Sequence, residues 1–148
     1  MKLIKEIGLI GLGVMGKNIA LNLSEKGVSI KGFNGSKNKL NEIKKEFSGE
    51  FEGYTDINDL VNNLSKPRTI LLMVPSGKTT KDVIEKIENL LDEEDLIIDG
   101  GNSFYLDSEE NGSNLKQKNI DFIGMGVIGQ DALSELAGDG VKIGDTIG

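Results

Sequence analysis

The chain has 148 residues, 37% of them hydrophobic and 28% charged, with a net charge of −7. That length suits one globular domain with a substantial core. Cysteine and histidine are both missing from the sequence, which excludes disulfides, thiolate metal sites and nucleophiles built on Ser-His or Cys-His pairs. The acidic balance argues against a nucleic-acid partner, because no overall basic field attracts phosphates. No apolar run approaches the ~18 residues of a membrane-spanning helix. Lys2 and Lys5 ahead of Ile7–Met15 superficially resemble a signal peptide, but Glu6 interrupts the charged region. A cytoplasmic location is expected, and the sequons at Asn22, Asn34, Asn63 and Asn111 carry no weight without a secretory signal.

The predicted elements alternate between strand and helix. Leu3–Ile10 is the first strand and Met15–Lys26 the first helix, with Met15, Ile19 and Leu23 on one face and Gly27 as its cap. Val28–Phe33 is a second strand, and Lys37–Phe47 a helix carrying Leu40, Ile43 and Phe47 at helical spacing. Phe51–Tyr54 is a brief strand. Thr55 or Asp56 then caps a helix with Ile57, Leu60, Val61 and Leu64, which Pro67 stops. Thr69–Val74 is continuously apolar, as expected of a parallel strand covered on both faces. Val83, Ile84, Ile87, Leu90 and Leu91 mark another helix, Asp92–Asp95 a solvated turn, and Leu96–Ile98 the next strand. Leu106–Lys118 is expected to be helical and Ile120–Ile123 a sixth strand. This order predicts an α/β fold: a single Rossmann-type domain with a doubly wound parallel sheet and right-handed crossovers. After Gly124 the sequence becomes glycine-rich, and only Ala132–Ala137 has helical character.

The chemistry concentrates at strand ends. Gly11-Leu12-Gly13-Val14-Met15-Gly16 follows the first strand and opens the first helix, which is the G-x-G-x-x-G arrangement that cradles a dinucleotide. Gly11 allows the tight turn, Gly13 lets a pyrophosphate approach the backbone, and Gly16 lets the helix pack near the strand. The phosphates then meet free N–H groups at the positive end of the helix. The end of the second strand reads Phe33-Asn34-Gly35-Ser36-Lys37 where an NAD site usually carries Asp or Glu. Neutral Asn34 does not repel a 2′-phosphate, and Ser36, Lys37 and Lys39 supply a hydroxyl and local positive charge, so NADP is expected over NAD. Asn-Gly is also a common turn dipeptide in its own right. Val74-Pro75-Ser76 ends the fourth strand, and Asp99-Gly100-Gly101-Asn102-Ser103 follows the fifth. Both lie at the carboxyl edge, where ligands bind in open α/β sheets. The Asn102 amide offers an uncharged donor and acceptor, suited to a carboxamide or a polyol hydroxyl. No metal site is expected.

Together these motifs resemble the 6-phosphogluconate dehydrogenase family of the β-hydroxyacid dehydrogenase superfamily. Ile7–Asn18 is similar to that family's N-terminus, Lys66-Pro-Arg-Thr-Ile-Leu-Leu72 to the approach to its fourth strand, and Ile97-Ile-Asp-Gly-Gly-Asn-Ser103 to its most distinctive early motif. The resemblance covers roughly residues 5–127, taken as the dinucleotide-binding domain, with 128–148 a divergent glycine-rich tail. It implies that Gly11 to Gly16 bind the pyrophosphate, Asn34, Gly35 and Ser36 flank the 2′-phosphate, and Val74, Pro75 and Ser76 line the dinucleotide. Asn102 lies between nicotinamide and substrate, and Gly129 falls in the substrate loop. The implied reaction is NADP-dependent oxidation of 6-phosphogluconate at C3, with decarboxylation to ribulose 5-phosphate in the pentose phosphate pathway. Two departures stand out. Gly35 replaces the family's arginine, and Ile128 in Gly126-Val127-Ile128-Gly129-Gln130 replaces the serine of its substrate loop. The family's catalytic lysine, His-Asn pair and glutamate have no counterparts in these residues, nor does its helical domain, through which members largely dimerise. The chain is therefore expected to be inactive by itself, with no catalytic residue of its own; a homodimer is expected only where a helical domain is present. A non-catalytic NADP-binding module and another β-hydroxyacid dehydrogenase are the competing readings.

Overall fold

A computed structural model describes residues 4–74, 78–100, 115–116 and 118–124. Its elements are β1 (Glu6–Ile10), α1 (Val14–Glu25), β2 (Ser29–Phe33), α2 (Lys37–Lys44), β3 (Phe51–Tyr54), α3 (Ile57–Asn62), β4 (Thr69–Leu72), α4 (Lys78–Ile87), β5 (Leu96–Asp99) and β6 (Asp121–Gly124). A short 3-10 turn, Glu88–Leu90, follows α4. The six strands form one sheet in the order β3-β2-β1-β4-β5-β6, and every adjacent pair is parallel. This is the expected doubly wound sheet. The order reverses between the paired strands β1 and β4, so the chain leaves them toward opposite halves of the sheet, the arrangement that opens a crevice above their carboxyl ends.

Side-chain alternation builds a core on each face. Ile7 and Leu9 of β1, Leu71 of β4 and Ile98 of β5 pack with Ile19, Ala20 and Leu23 of α1 and Leu40 and Ile43 of α2. Ile10, Ile70, Leu72 and Ile97 point to the other face and pack with Leu60 and Val61 of α3 and Ile84 and Ile87 of α4. The unbroken apolar runs of β4 and β5 are thus buried on both sides, as central parallel strands must be. Leu115 is fully buried in the second core.

The boundaries differ from the sequence expectation in instructive ways. α2 ends at Lys44 rather than Phe47, because Glu46 and Phe47 close tighter turns onto Ile43 and Lys44. Phe47 then stacks on Phe51, with ring centroids 4.6 Å apart. α3 ends well before Pro67, at Asn62, where Asn63 folds its amide back onto the Asp59 carbonyl. Asp56, not Thr55, caps it by accepting the Asn58 N–H at 2.7 Å. Met15 does not share the buried face of Ile19 and Leu23; it is 49% exposed. β4 stops at Leu72, two residues early. Most of the expected helix Leu106–Lys118 and the segment Ala132–Ala137 lie outside the described residues.

The clearest correction concerns Asp92–Asp95. Only part of this turn is solvated: Asp95 is 1% exposed and forms an ion pair with Arg68, itself 6% exposed, at 2.9 Å. Arg68 also donates from Nε to the Val61 carbonyl, and the Asp95 carboxylate accepts the backbone N–H groups of Arg68 and Asp92. Among the described residues no helix is long and apolar enough to cross a membrane.

Candidate dinucleotide-binding site

The glycine turn carries the sharpest geometry. Gly11 has φ +108°, and a Cβ there would overlap the Met73 carbonyl, so both backbone conformation and space demand glycine. A Cβ on Gly16 would overlap the Gly11 carbonyl, and Gly16 is what lets α1 start so close to β1. Gly13 is different. Its φ is −70°, and among the described residues a Cβ there would meet nothing within 4 Å. Those residues place no steric demand at Gly13 and leave the space beside it open.

Gly13 is also the N-cap of α1, and no side chain caps the helix there. The first turn carries no acidic residue. Among the described residues no side chain accepts from the backbone N–H groups at this terminus, and an anion there would meet the helix dipole in the favourable sense. Leu12 is buried and packs toward Gly32, so only its backbone faces the crevice. Val14 is 78% exposed; it and Met15 are the exposed large hydrophobic residues of the described structure, and both sit at the lip of the turn. Lys17 pairs with Glu46 at 3.2 Å and ties the start of α1 to the segment after α2.

The second loop follows β2 at the same edge. The Asn34 N–H donates to the Tyr54 carbonyl at the end of β3, and its Oδ1 accepts the Ser36 N–H at 2.8 Å. Ser36 caps α2 by accepting the Lys39 N–H. Gly35 is exposed, and among the described residues a Cβ there would meet nothing within 4 Å. Beside this loop the Tyr54 phenol donates to Glu52; burial first, then the Glu52 hydrogen bond and charge, hold it well above the usual tyrosine range.

Val74 lies just past β4, partly buried against the second core. Gly100 follows β5, held by donating its N–H to the Leu72 carbonyl at 2.9 Å. The fold thus brings Gly11 to Gly16, Asn34 to Ser36, Val74 and Gly100 to one edge. Pro75, Ser76, Asn102 and Gly129 lie outside the described residues. Met73, which touches both Gly11 and Gly100, was not singled out by the sequence; its only signal is its place directly before Val74. No group of three or more acidic, His or Cys side chains is placed to hold a metal among the described residues.

A six-stranded doubly wound sheet with an uncapped glycine turn at its switch point defines a dinucleotide-binding domain of the Rossmann class. Residues 6–139 match the model of the NAD binding domain of 6-phosphogluconate dehydrogenase, and the chain belongs to that family. It is 44% identical over 126 residues to the decarboxylating 6-phosphogluconate dehydrogenase of Chlamydia trachomatis, covering 84% of this chain and 26% of that protein. It is 40% identical over 139 residues to the NAD(+)-dependent, decarboxylating enzyme of Bacillus subtilis, covering 93% of this chain and 30% of that one. The chain therefore spans between a quarter and a third of the length of these curated relatives. The solved structure of Plasmodium falciparum 6-phosphogluconate dehydrogenase, described with NADP+ and with its substrate, matches with a TM-score of 0.77 at 30% identity. That match covers 95% of this chain and 35% of the Plasmodium chain. A 3-hydroxyisobutyrate dehydrogenase from Mycobacterium tuberculosis shares the fold at 16% identity and a TM-score of 0.71.

Proposed function

We propose that the chain is the NADP-holding half of a 6-phosphogluconate dehydrogenase site. Gly13 carries the reading: among the described residues it faces open space at an uncapped helix terminus, a shape that the packing of those residues does not need and a pyrophosphate does. When bound, the nicotinamide supplies the hydride acceptor for oxidation of a hydroxy acid. The chain's own residues bind and orient it. The Gly11–Gly16 backbone holds the pyrophosphate, Val74, Pro75 and Ser76 line the dinucleotide, and Asn102 and Gly129 face a sugar-acid phosphate.

NADP is preferred over NAD because of what the second loop leaves unused. The Asn34 oxygen already accepts from Ser36, and the Ser36 oxygen already accepts from Lys39. Their remaining capacity includes an amide NH2 and a hydroxyl proton, donors suited to a phosphate. Residues 33–37 carry no carboxylate to accept from a ribose 2′-hydroxyl. NAD is the second reading. It is favoured by the match to the NAD(+)-dependent Bacillus subtilis enzyme and by Gly35, which brings no cation.

Residues 1–127 form the dinucleotide unit in this proposal, and no residue of this chain matches the acid and base that the reaction requires. The 148 residues alone are expected to bind without turning over. Displacement of bound NADPH, followed by its fluorescence, tests the cofactor: NADP+ should compete at least about tenfold better than NAD+, the worth of one charge-assisted contact. Equal competition would assign NAD. NADPH formation from 6-phosphogluconate by this chain alone would overturn the division of labour.

A further inference from the structure

Met73 sits one residue beyond β4, at the switch point, and meets the site from two sides. Its N–H donates to the Ile10 carbonyl at 2.8 Å, holding it level with the end of β1. Its carbonyl lies against Gly11: a Cβ there would overlap the oxygen and lie 2.6 Å from the carbonyl carbon. The Met73 Cβ is 3.4 Å from where a Cβ on Gly16 would stand. The side chain reaches the neighbouring strand on the other side, β5. A Cβ on Gly100 would lie 2.5 Å from Sδ and 3.0 Å from Leu71 Cδ1. Met73 is half-buried and packs against the first core.

We infer that Met73 is a positioning residue that sets the spacing between the Gly11–Gly16 turn and the Gly100 end of β5. An unbranched thioether fills an irregular gap well, and a close-packed contact passes displacement on rather than absorbing it. The consequence for chemistry rests on the dinucleotide reading. In that reading the turn seats the pyrophosphate, so one residue fixes where the cofactor lies relative to the carboxyl end of β5 at Gly100. Misplacement on the ångström scale at such a site is costly.

A size-swap cycle on the full chain tests this. Gly100→Ala places a methyl against Sδ, Met73→Ala removes the thioether, and the double variant restores the room. In 15N-labelled protein without cofactor, Gly100→Ala is expected to shift the amide resonances of Gly11, Gly13 and Gly16, and the shifts should largely vanish in the double variant. NADP+ affinity by calorimetry should fall roughly tenfold in Gly100→Ala and recover to within about threefold in the double variant, a coupling typical of residues in contact. Leu71 keeps the recovery incomplete. Met73→Leu should behave as wild type. Unmoved glycine resonances in Gly100→Ala, or shifts of full size in the double variant, would overturn the inference. If Gly100→Ala does not fold, Met73→Ala alone decides: amide exchange at Gly100 should quicken at least about tenfold while Ile97 keeps its rate, since local opening differs from global unfolding. Equal change at both would overturn the role. If the wild type fails to bind NADP+, the cofactor reading falls, while the amide pattern still decides the role of Met73.

Discussion

The two edges of the sheet treat polar groups in opposite ways. At the amino edge, just before β4 and β5, the chain closes its charges on itself. Arg68 meets Asp95 at 2.9 Å and the Val61 carbonyl at 2.9 Å, and Asp95 takes two backbone N–H groups besides. At the carboxyl edge, among the described residues, the chain leaves groups unfinished: α1 starts uncapped, Gly13 faces open space, and Asn34 and Ser36 keep donors in hand. Residue identity at the first edge therefore governs stability. At the second edge, in the proposed reading, it governs what binds.

That contrast can be broken first where the effect is largest. Asp95→Ala leaves a buried guanidinium without its main partner and is expected to cost about 3–5 kcal/mol, read by urea denaturation. NADP+ affinity of the protein that remains folded should not move, because the proposed cofactor seat lies at the opposite edge. A loss under about 1 kcal/mol would show that the Arg68 contacts to carbonyls suffice without the carboxylate. Next comes Gly16→Ala, whose methyl must displace the Gly11 carbonyl. Strain of this kind costs roughly 1–3 kcal/mol and should weaken dinucleotide binding in parallel. Retained affinity there would mean that the turn is not the seat.

Gly35→Arg tests the open edge by addition. The position has room for the side chain, so folding should be unaffected, while the NADP-to-NAD affinity ratio rises roughly tenfold through a charge-assisted phosphate contact. An unchanged ratio would place the 2′ position elsewhere. The smallest expected effect concerns Asp92 at the rim of the closed edge. Its Lys66 hydrogen bond and charge, with a lesser pull from Arg68, hold the carboxyl below its ordinary value of 3.8. A carboxyl depressed on folding contributes stability above its unfolded value and loses it as pH falls through the folded one. Asp92→Asn should therefore lower stability slightly at neutral pH, because both partners are exposed, and flatten the loss of stability below pH 3.8 by the same small amount. Identical pH profiles would remove Asp92 from the account.

The sheet was legible in the sequence because its signals are local. Apolar runs such as Ile70–Leu72 and Ile97–Ile98 mark strands buried on both faces, and glycine spacing marks the turn. Helix ends were less legible, since Phe47 is drawn out of α2 by a ring contact with Phe51 that spacing does not encode. The buried Arg68–Asp95 pair was invisible for the same reason: a run of four acidic residues reads as solvated until the residue 27 positions away is brought beside it. At the site, Gly11 to Gly16 and Asn34 to Ser36 could be named from the sequence. The distinct status of Gly13, and the contact of Met73 with two loops, needed the strands laid side by side.

The central claim is that the carboxyl edge is shaped for a ligand and not for the fold, and Gly13 tests it most directly. Calorimetric titration of NADP+ into wild type and Gly13→Ala, paired with thermal denaturation, separates the two. The expected result is one site on the wild type, with affinity lost by tenfold or more in Gly13→Ala and stability within about 1 kcal/mol of wild type. Equal binding by both proteins, or a Gly13→Ala variant that unfolds as readily as Gly16→Ala, would contradict it.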